Sequence, residues 1–180
     1  MVISIDEILK RNLIKRRDYA KGEGLVDPEG VAVDIRLDEI WEMNPASKAF
    51  LKKKTRKTRE YKKVAKFEPK KNESFILEPM KYYQFKSIEE IEVPLDLMGR
   101  FTPRFNVIVN GMYMTFGKLD PGFKGNFVVP VINLSGVPFE IELGVRFGQI
   151  GFYKVAGKSV KYRGQWKDGR VYTKKEEVQV

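Results

Sequence analysis

The chain has 180 residues and a mass of 20.9 kDa, which suits a single domain, and its 42% hydrophobic and 12% aromatic content suffices for a core. It has no cysteine and no histidine, which excludes disulfides, thiolate and imidazole metal sites, histidine general bases, Ser-His-Asp triads and zinc deaminase chemistry. Net charge is +10, from 34 basic and 24 acidic residues, so any chemistry runs on carboxylates, lysine, tyrosine, hydroxyls or a metal held by oxygen. In chain order, Ser4-x-x-Glu7 reads as a capping box before a short helix carrying Ile5, Ile8 and Leu9 on one face. Residues 21–30 are turn-rich, with Gly22, Gly24, Asp27-Pro28 and Gly30. Val31 to Trp41 alternates as a half-buried strand, with Val33, Ile35 and Leu37 on one side and Asp34, Arg36 and Asp38 on the other. Short strands follow over 74–77, 81–85 and 90–93. Strands over 107–109 and 112–116 flank Asn110-Gly111, a hairpin signal. Residues 117–125 read as a loop, and 126–133, 139–143 and 147–153 as strands. The tail beyond Gly157 is polar and glycine-punctuated. Many short strands with one short helix predict an all-β barrel or sandwich.

The charge is unevenly placed. Lys48 to Lys71 holds twelve Lys/Arg and two acids, Glu60 and Glu68, so this one segment carries a net +10 and the remainder is neutral. It reads as a basic helix or mobile loop: a solvated insertion, or a contact with a polyanion such as nucleic acid or a triphosphate. Nucleic acid is not the favoured partner, because only Phe50, Tyr61 and Phe67 interleave aromatic rings with the charge. No run of about eighteen apolar residues predicts a membrane helix, and the acidic N-terminus does not read as a signal peptide. The expected location is cytoplasmic, with no membrane partner. High charge without cysteine or histidine leans toward a thermophile.

Six segments in order resemble motifs of the dUTPase and dCTP deaminase superfamily, closest to the archaeal dCTP deaminase branch. They are Gly30 to Leu37, similar to a strand ending in Asp-Leu-Arg-Leu; Leu77-Glu78-Pro79-Met80; Val93 to Gly99, a Pro-x-Asp-Leu-x-Gly lead; Leu119 to Gly125 with Asn133; Gly144 to Ile150, a Gly-x-Arg-x-x-Gln motif; and Lys161-Tyr162-Arg163-Gly164-Gln165. The resemblance implies a β-clip fold, a dUTPase-like distorted barrel or jelly roll, with the basic segment as an insertion. It also implies a homotrimer with sites at subunit boundaries, deoxynucleoside triphosphate substrates, and magnesium (Mg) carried on the phosphates.

Departures from the family pattern narrow the function. Counting from Asp120-Pro121-Gly122, the glutamate that activates water in the deaminase branch is replaced by Pro130, which has no proton-accepting side chain. In the second motif Arg104 is kept, but Phe105 and Asn106 replace a serine pair that would bind phosphate; Asn106 still offers an amide. The glycine-rich closing motif of dUTPases is absent. Asp120 stands where dUTPases place the carboxylate that deprotonates the attacking water, or it is simply a turn residue before Pro-Gly. Phe123 stands where a ring packs against deoxyribose, or it belongs to the core. Asp34 braces its strand end or acts on the site indirectly. Arg104, Arg146, Gln149, Lys161 and Gln165 are candidate phosphate ligands or surface and interface residues. The first reading is a dUTPase-like hydrolase that converts dUTP to dUMP and pyrophosphate with Mg. Its rivals are a catalytically degenerate nucleotide-binding or regulatory protein, a dCTP deaminase with rearranged residues, and a nucleic-acid-associated protein.

Overall fold

The computed structural model describes residues 1–15, 30–115 and 117–179. The turn-rich stretch before Gly30 and the position of Phe116 lie outside them. The chain forms α1 (Ile5–Lys10), β1 (Ile14–Lys15), β2 (Ala32–Met43), β3 (Phe50–Leu51), β4 (Thr55–Lys57), β5 (Tyr61–Lys66), β6 (Ser74–Leu77), β7 (Tyr82–Glu92) and β8 (Leu97–Pro103). It continues with α2 (Phe105–Ile108), β9 (Met112–Met114), β10 (Lys118–Leu119), β11 (Lys124–Asn133), β12 (Phe139–Glu142), β13 (Arg146–Lys154) and β14 (Glu177–Val178). The fold is all-β with two short helices, as the strand spacing and the resemblance imply.

The main sheet runs β10-β8-β13-β2-β7-β11-β9, antiparallel throughout, with β1 added on β7 and β5 on β2. β2 is long enough to serve two partners in turn: its first half pairs with β13 and its second with β7 and β5. Register shifts at Leu37/Glu39 and Ile40/Trp41 mark where it bends, as bulges do in curled sheets. The alternation expected on β2 holds for Val33, Ile35 and Leu37, which are buried, but Arg36 is buried too. Its Nε donates to Glu89 Oε1 at 2.7 Å and its backbone N–H to Glu89 Oε2 at 2.8 Å. A buried ion pair replaces the expected solvated side chain, which satisfies charges that burial would otherwise penalise by several kcal/mol.

Inside the curl, Phe101 lies 4.9 Å from Phe127 and 6.0 Å from Phe147 between ring centroids, and Phe147 meets Phe85 edge-on at 5.7 Å. Each of these rings contributes roughly 1.5–3 kcal/mol by leaving water. At the N-terminus, Ser4 Oγ accepts from the Glu7 N–H at 3.3 Å, and Ile8 is buried while Leu9 is 40% exposed.

Three local readings are corrected. Residues 105–108 form a helical turn and not a strand: the Val107 N–H donates to the Arg104 carbonyl, and Val107 is buried. Tertiary packing overrides the β-branched run. Residues 81–85 and 90–93 belong to one strand, β7, and the stretch read as a loop contains β10. The basic segment is neither helix nor loop. It supplies β3, β4 and β5; β5 pairs along β2, and β4 is flanked by β3 and β14.

Candidate active site

A cleft of about 530 Å³ opens over β11. Its floor is the face of that strand carrying Asn126, Val128 and Pro130, with Gln84 of β7 opposite Pro130. One wall is the turn from Lys118 to Phe123, which presents Asp120. This turn is clamped on both sides. The Gly122 N–H donates to the Val93 carbonyl at 2.7 Å, and the Tyr162 N–H donates to the Pro121 carbonyl at 2.7 Å. Gly122 has φ +85, and an added Cβ would meet Lys161 Cγ at 2.6 Å, so glycine is required there. Asp120 is the only carboxylate lining the cleft among the described residues. It lies 2.9 Å from Lys118 Nζ, and its side chain is 35% exposed.

The opposite wall comes from two segments: the basic one, which the sequence offered as a polyanion contact, and the tail, where it offered Lys161 and Gln165 but not the residues found here. Thr58, Arg59 and Tyr61 come from the basic segment, and Tyr162, Trp166 and Arg170 from the tail. The two segments are joined. Arg56 and Arg170 lie over the Trp166 ring at 5.0 and 5.4 Å. Glu177 accepts from Arg56 Nε at 2.9 Å and from Arg170. The Thr58 and Thr173 hydroxyls each accept the other residue's backbone N–H at 2.9 Å. Burial pushes the Glu177 carboxyl up, but Arg170 and Arg56 together hold it below the usual carboxylate range. Burial likewise raises the Tyr61 hydroxyl despite its hydrogen bond with Gln84. A Trp in an otherwise polar tail and a Tyr in the lysine-rich segment were the available signals for this wall.

The sequence-predicted residues fall into separate groups. Asp120 and Phe123 line the cleft, and Phe123 is 8% exposed with its ring 6.1 Å from Tyr162. Gln165 stands beside it, its Oε1 accepting from Arg56 Nη2 at 2.6 Å. Arg104 and Arg146 do not line the cleft. Arg104 Nη1 donates to both Asp34 oxygens at 2.6 and 2.7 Å, and Arg146 Nη1 to Oδ2 at 3.1 Å. Gln149 pairs with Asp34 across β13 and β2, and also lies away from the cleft. Asn106 sits exposed on α2. Lys161 points into a different cleft, on the far side of the Asp120 turn. Asn133, from the third motif, is buried and fully engaged with Leu77, Ser135 and Val137. Glu140, the nearest acid after Pro130, lies on β12 in a separate two-stranded sheet and does not line the cleft.

Residues 4–155 match the family model described as dCTP deaminase-like. The chain belongs to the dCTP deaminase-like family. A dCTP deaminase of Pyrococcus furiosus is 33% identical over 92 residues, covering 51% of this chain and 59% of the relative. A dUMP-forming dCTP deaminase of Beutenbergia cavernae is 24% identical over 165 residues, covering 87% of this chain and 85% of the relative. The match to the archaeal relative thus spans about three fifths of its length. Among solved structures, the 2'-deoxycytidine 5'-triphosphate deaminase of Agrobacterium tumefaciens superposes with a TM-score of 0.59 at 16% identity, over 84% of this chain and 48% of that one. That likeness establishes the fold of this dCTP deaminase-like chain.

Proposed function

We propose that this protein is a deoxynucleoside triphosphate pyrophosphohydrolase of dUTPase type, cleaving dUTP to dUMP and pyrophosphate. The observation that carries the reading is the acid inventory of the cleft. Among the described residues Asp120 is its one lining carboxylate, and Pro130, on the floor, stands at the position where the resemblance to the deaminase branch implies a glutamate. A water held by Asp120 would lose its proton to the carboxylate as its oxygen attacks the α-phosphorus, and pyrophosphate would leave. In this reading deamination lacks the proton acceptor that Pro130 replaces. Relatives named dUMP-forming dCTP deaminases carry both steps in their name; in this reading the present chain keeps only the step at phosphorus.

Arg59 and Arg170 give the cleft a cationic wall. In this reading magnesium enters on the triphosphate, with Asp120 the one lining carboxylate among the described residues. Such an ion would shield phosphate charge and orient the chain. Arg104, Asn106, Arg146 and Gln149 would reach the nucleotide from a neighbouring subunit, so the reading includes a homotrimer with shared sites. A clean monomer in light scattering at micromolar concentration would contradict that part.

A second reading, a nucleotide-binding protein without turnover, has one observation in its favour: Asp34 already engages both Arg104 and Arg146. Incubation with dUTP and dCTP in the presence of magnesium separates the readings. Pyrophosphate from dUTP supports hydrolysis, ammonia from dCTP supports deamination, and binding without either product supports the second reading.

A further inference from the structure

A second cleft, of about 770 Å³, lies behind the Asp120 turn and shares only Phe123 with the first. We infer that it is a separate binding site for a small polyphosphate, such as the phosphate chain of a nucleotide or a free oligophosphate. Five cations line it: Arg11, Lys15, Lys124, Lys161 and Lys167. Among the described residues two carboxylates do so, Glu92 and Asp168. Arg11 is neutralised from outside by Asp96, 2.7 Å away. Glu92 serves both Lys15 and, at 3.5 Å, Lys124, and Lys15 holds its carboxyl below the usual range. Lys161 and Lys167 make no ion pair among the described residues.

Concave walls with an excess of one sign focus the field and attract counter-charge, and here five cations face two carboxylates. Lysines suit a polyphosphate better than a planar carboxylate, because ammonium groups act as point charges without a fixed fork. The volume falls within the range of small-ligand sites, roughly 300–1,000 Å³. The site is also rigidly framed. The Asp168 N–H donates to the Lys124 carbonyl at 3.1 Å, and Gly125 leaves no room for a Cβ against the Asp168 backbone. This fixes Lys124 and Lys167 on adjoining segments. Asn12, held at φ 49, brings a side-chain amide with no partner among the described residues.

The test is calorimetric titration of the full chain with inorganic tripolyphosphate at low salt. Wild type binds, and the double variant Lys124→Gln/Lys167→Gln weakens binding at least tenfold. Both lysines are exposed, and unchanged melting of the variant confirms its fold. Asp168 has φ 57; Asp168→Asn, which keeps that left-handed backbone accessible, tightens binding severalfold by removing a like charge. Because Lys124 and Lys167 line this cleft and not the first, loss of binding in their variant separates the two sites. No binding by wild type, or equal binding by the double lysine variant, overturns the inference. Neither result bears on whether dUTP is hydrolysed.

Discussion

Asp34 gathers three of the sequence motifs onto one side chain: the first through itself, the second through Arg104 and the fourth through Arg146. Its role as a brace is therefore direct, and Asp34→Asn should cost about 1.5–3 kcal/mol, as expected for hydrogen bonds to charged groups. A lowered thermal midpoint would register it. Asp120 has fewer structural duties: its backbone carbonyl accepts from the Phe123 N–H, and its carboxylate meets the exposed Lys118. Asp120→Asn should leave melting and nucleotide binding nearly intact and lower turnover about 10²–10⁴-fold, because the amide accepts no proton from water. Equal turnover by the variant would remove Asp120 from the chemistry. Phe123 is core as well as cleft wall, so Phe123→Ala should cost about 3–5 kcal/mol. The proposed contact with the sugar is better tested by Phe123→Leu, which should raise acceptance of ribonucleotides relative to deoxyribonucleotides without unfolding the chain.

At the scale of elements, the basic segment changes the picture most. β5 is attached to the sheet through Glu39, whose carboxylate meets Lys63 at 3.0 Å, Lys86 at 3.5 Å and Trp41 Nε1 at 2.9 Å. Burial pushes this carboxyl up, but the two lysines and the indole outweigh it and hold its pKa below the ordinary 4.5. The folded state therefore releases this proton more readily than the unfolded chain. Its contribution is present above about pH 4.5 and is lost as pH falls through the depressed folded value. Glu39→Gln should lower stability at pH 7 and flatten the acid limb of a stability-against-pH curve; an unchanged limb would contradict the pairing. Charge hid these strands in the sequence. Tyr61, Val64 and Ala65 fall at i, i+3 and i+4 among Lys62, Lys63 and Lys66, which is no strand period, and the bulge at Ile40/Trp41 breaks the period on the partner strand. Strands β6, β11, β12 and β13 were legible because they alternate between Gly and Pro breaks, whereas α2 was not, because Val107-Ile108-Val109 has strand composition.

Across the whole molecule, the cleft joins chain segments more than a hundred residues apart: Thr58 with Thr173, and Arg56 with Glu177. The resemblance to the family's third motif located Asp120 and Phe123, but nothing local linked the lysine-rich segment to the tail, because that pairing exists only once the sheet has curled. Replacing residues 48–60 with a short flexible linker should therefore release the tail as well. Residues 165–179 should become protease-sensitive while the main sheet still melts cooperatively; a tail that stays protected would contradict the joined wall. The central claim is that the cleft performs chemistry at phosphorus and not at the base. It is tested most directly by following pyrophosphate and ammonia together after the protein is incubated with dUTP and dCTP in magnesium. The account predicts pyrophosphate and dUMP from dUTP and no ammonia from dCTP. Ammonia from dCTP, or dUTP bound and left intact, would contradict it.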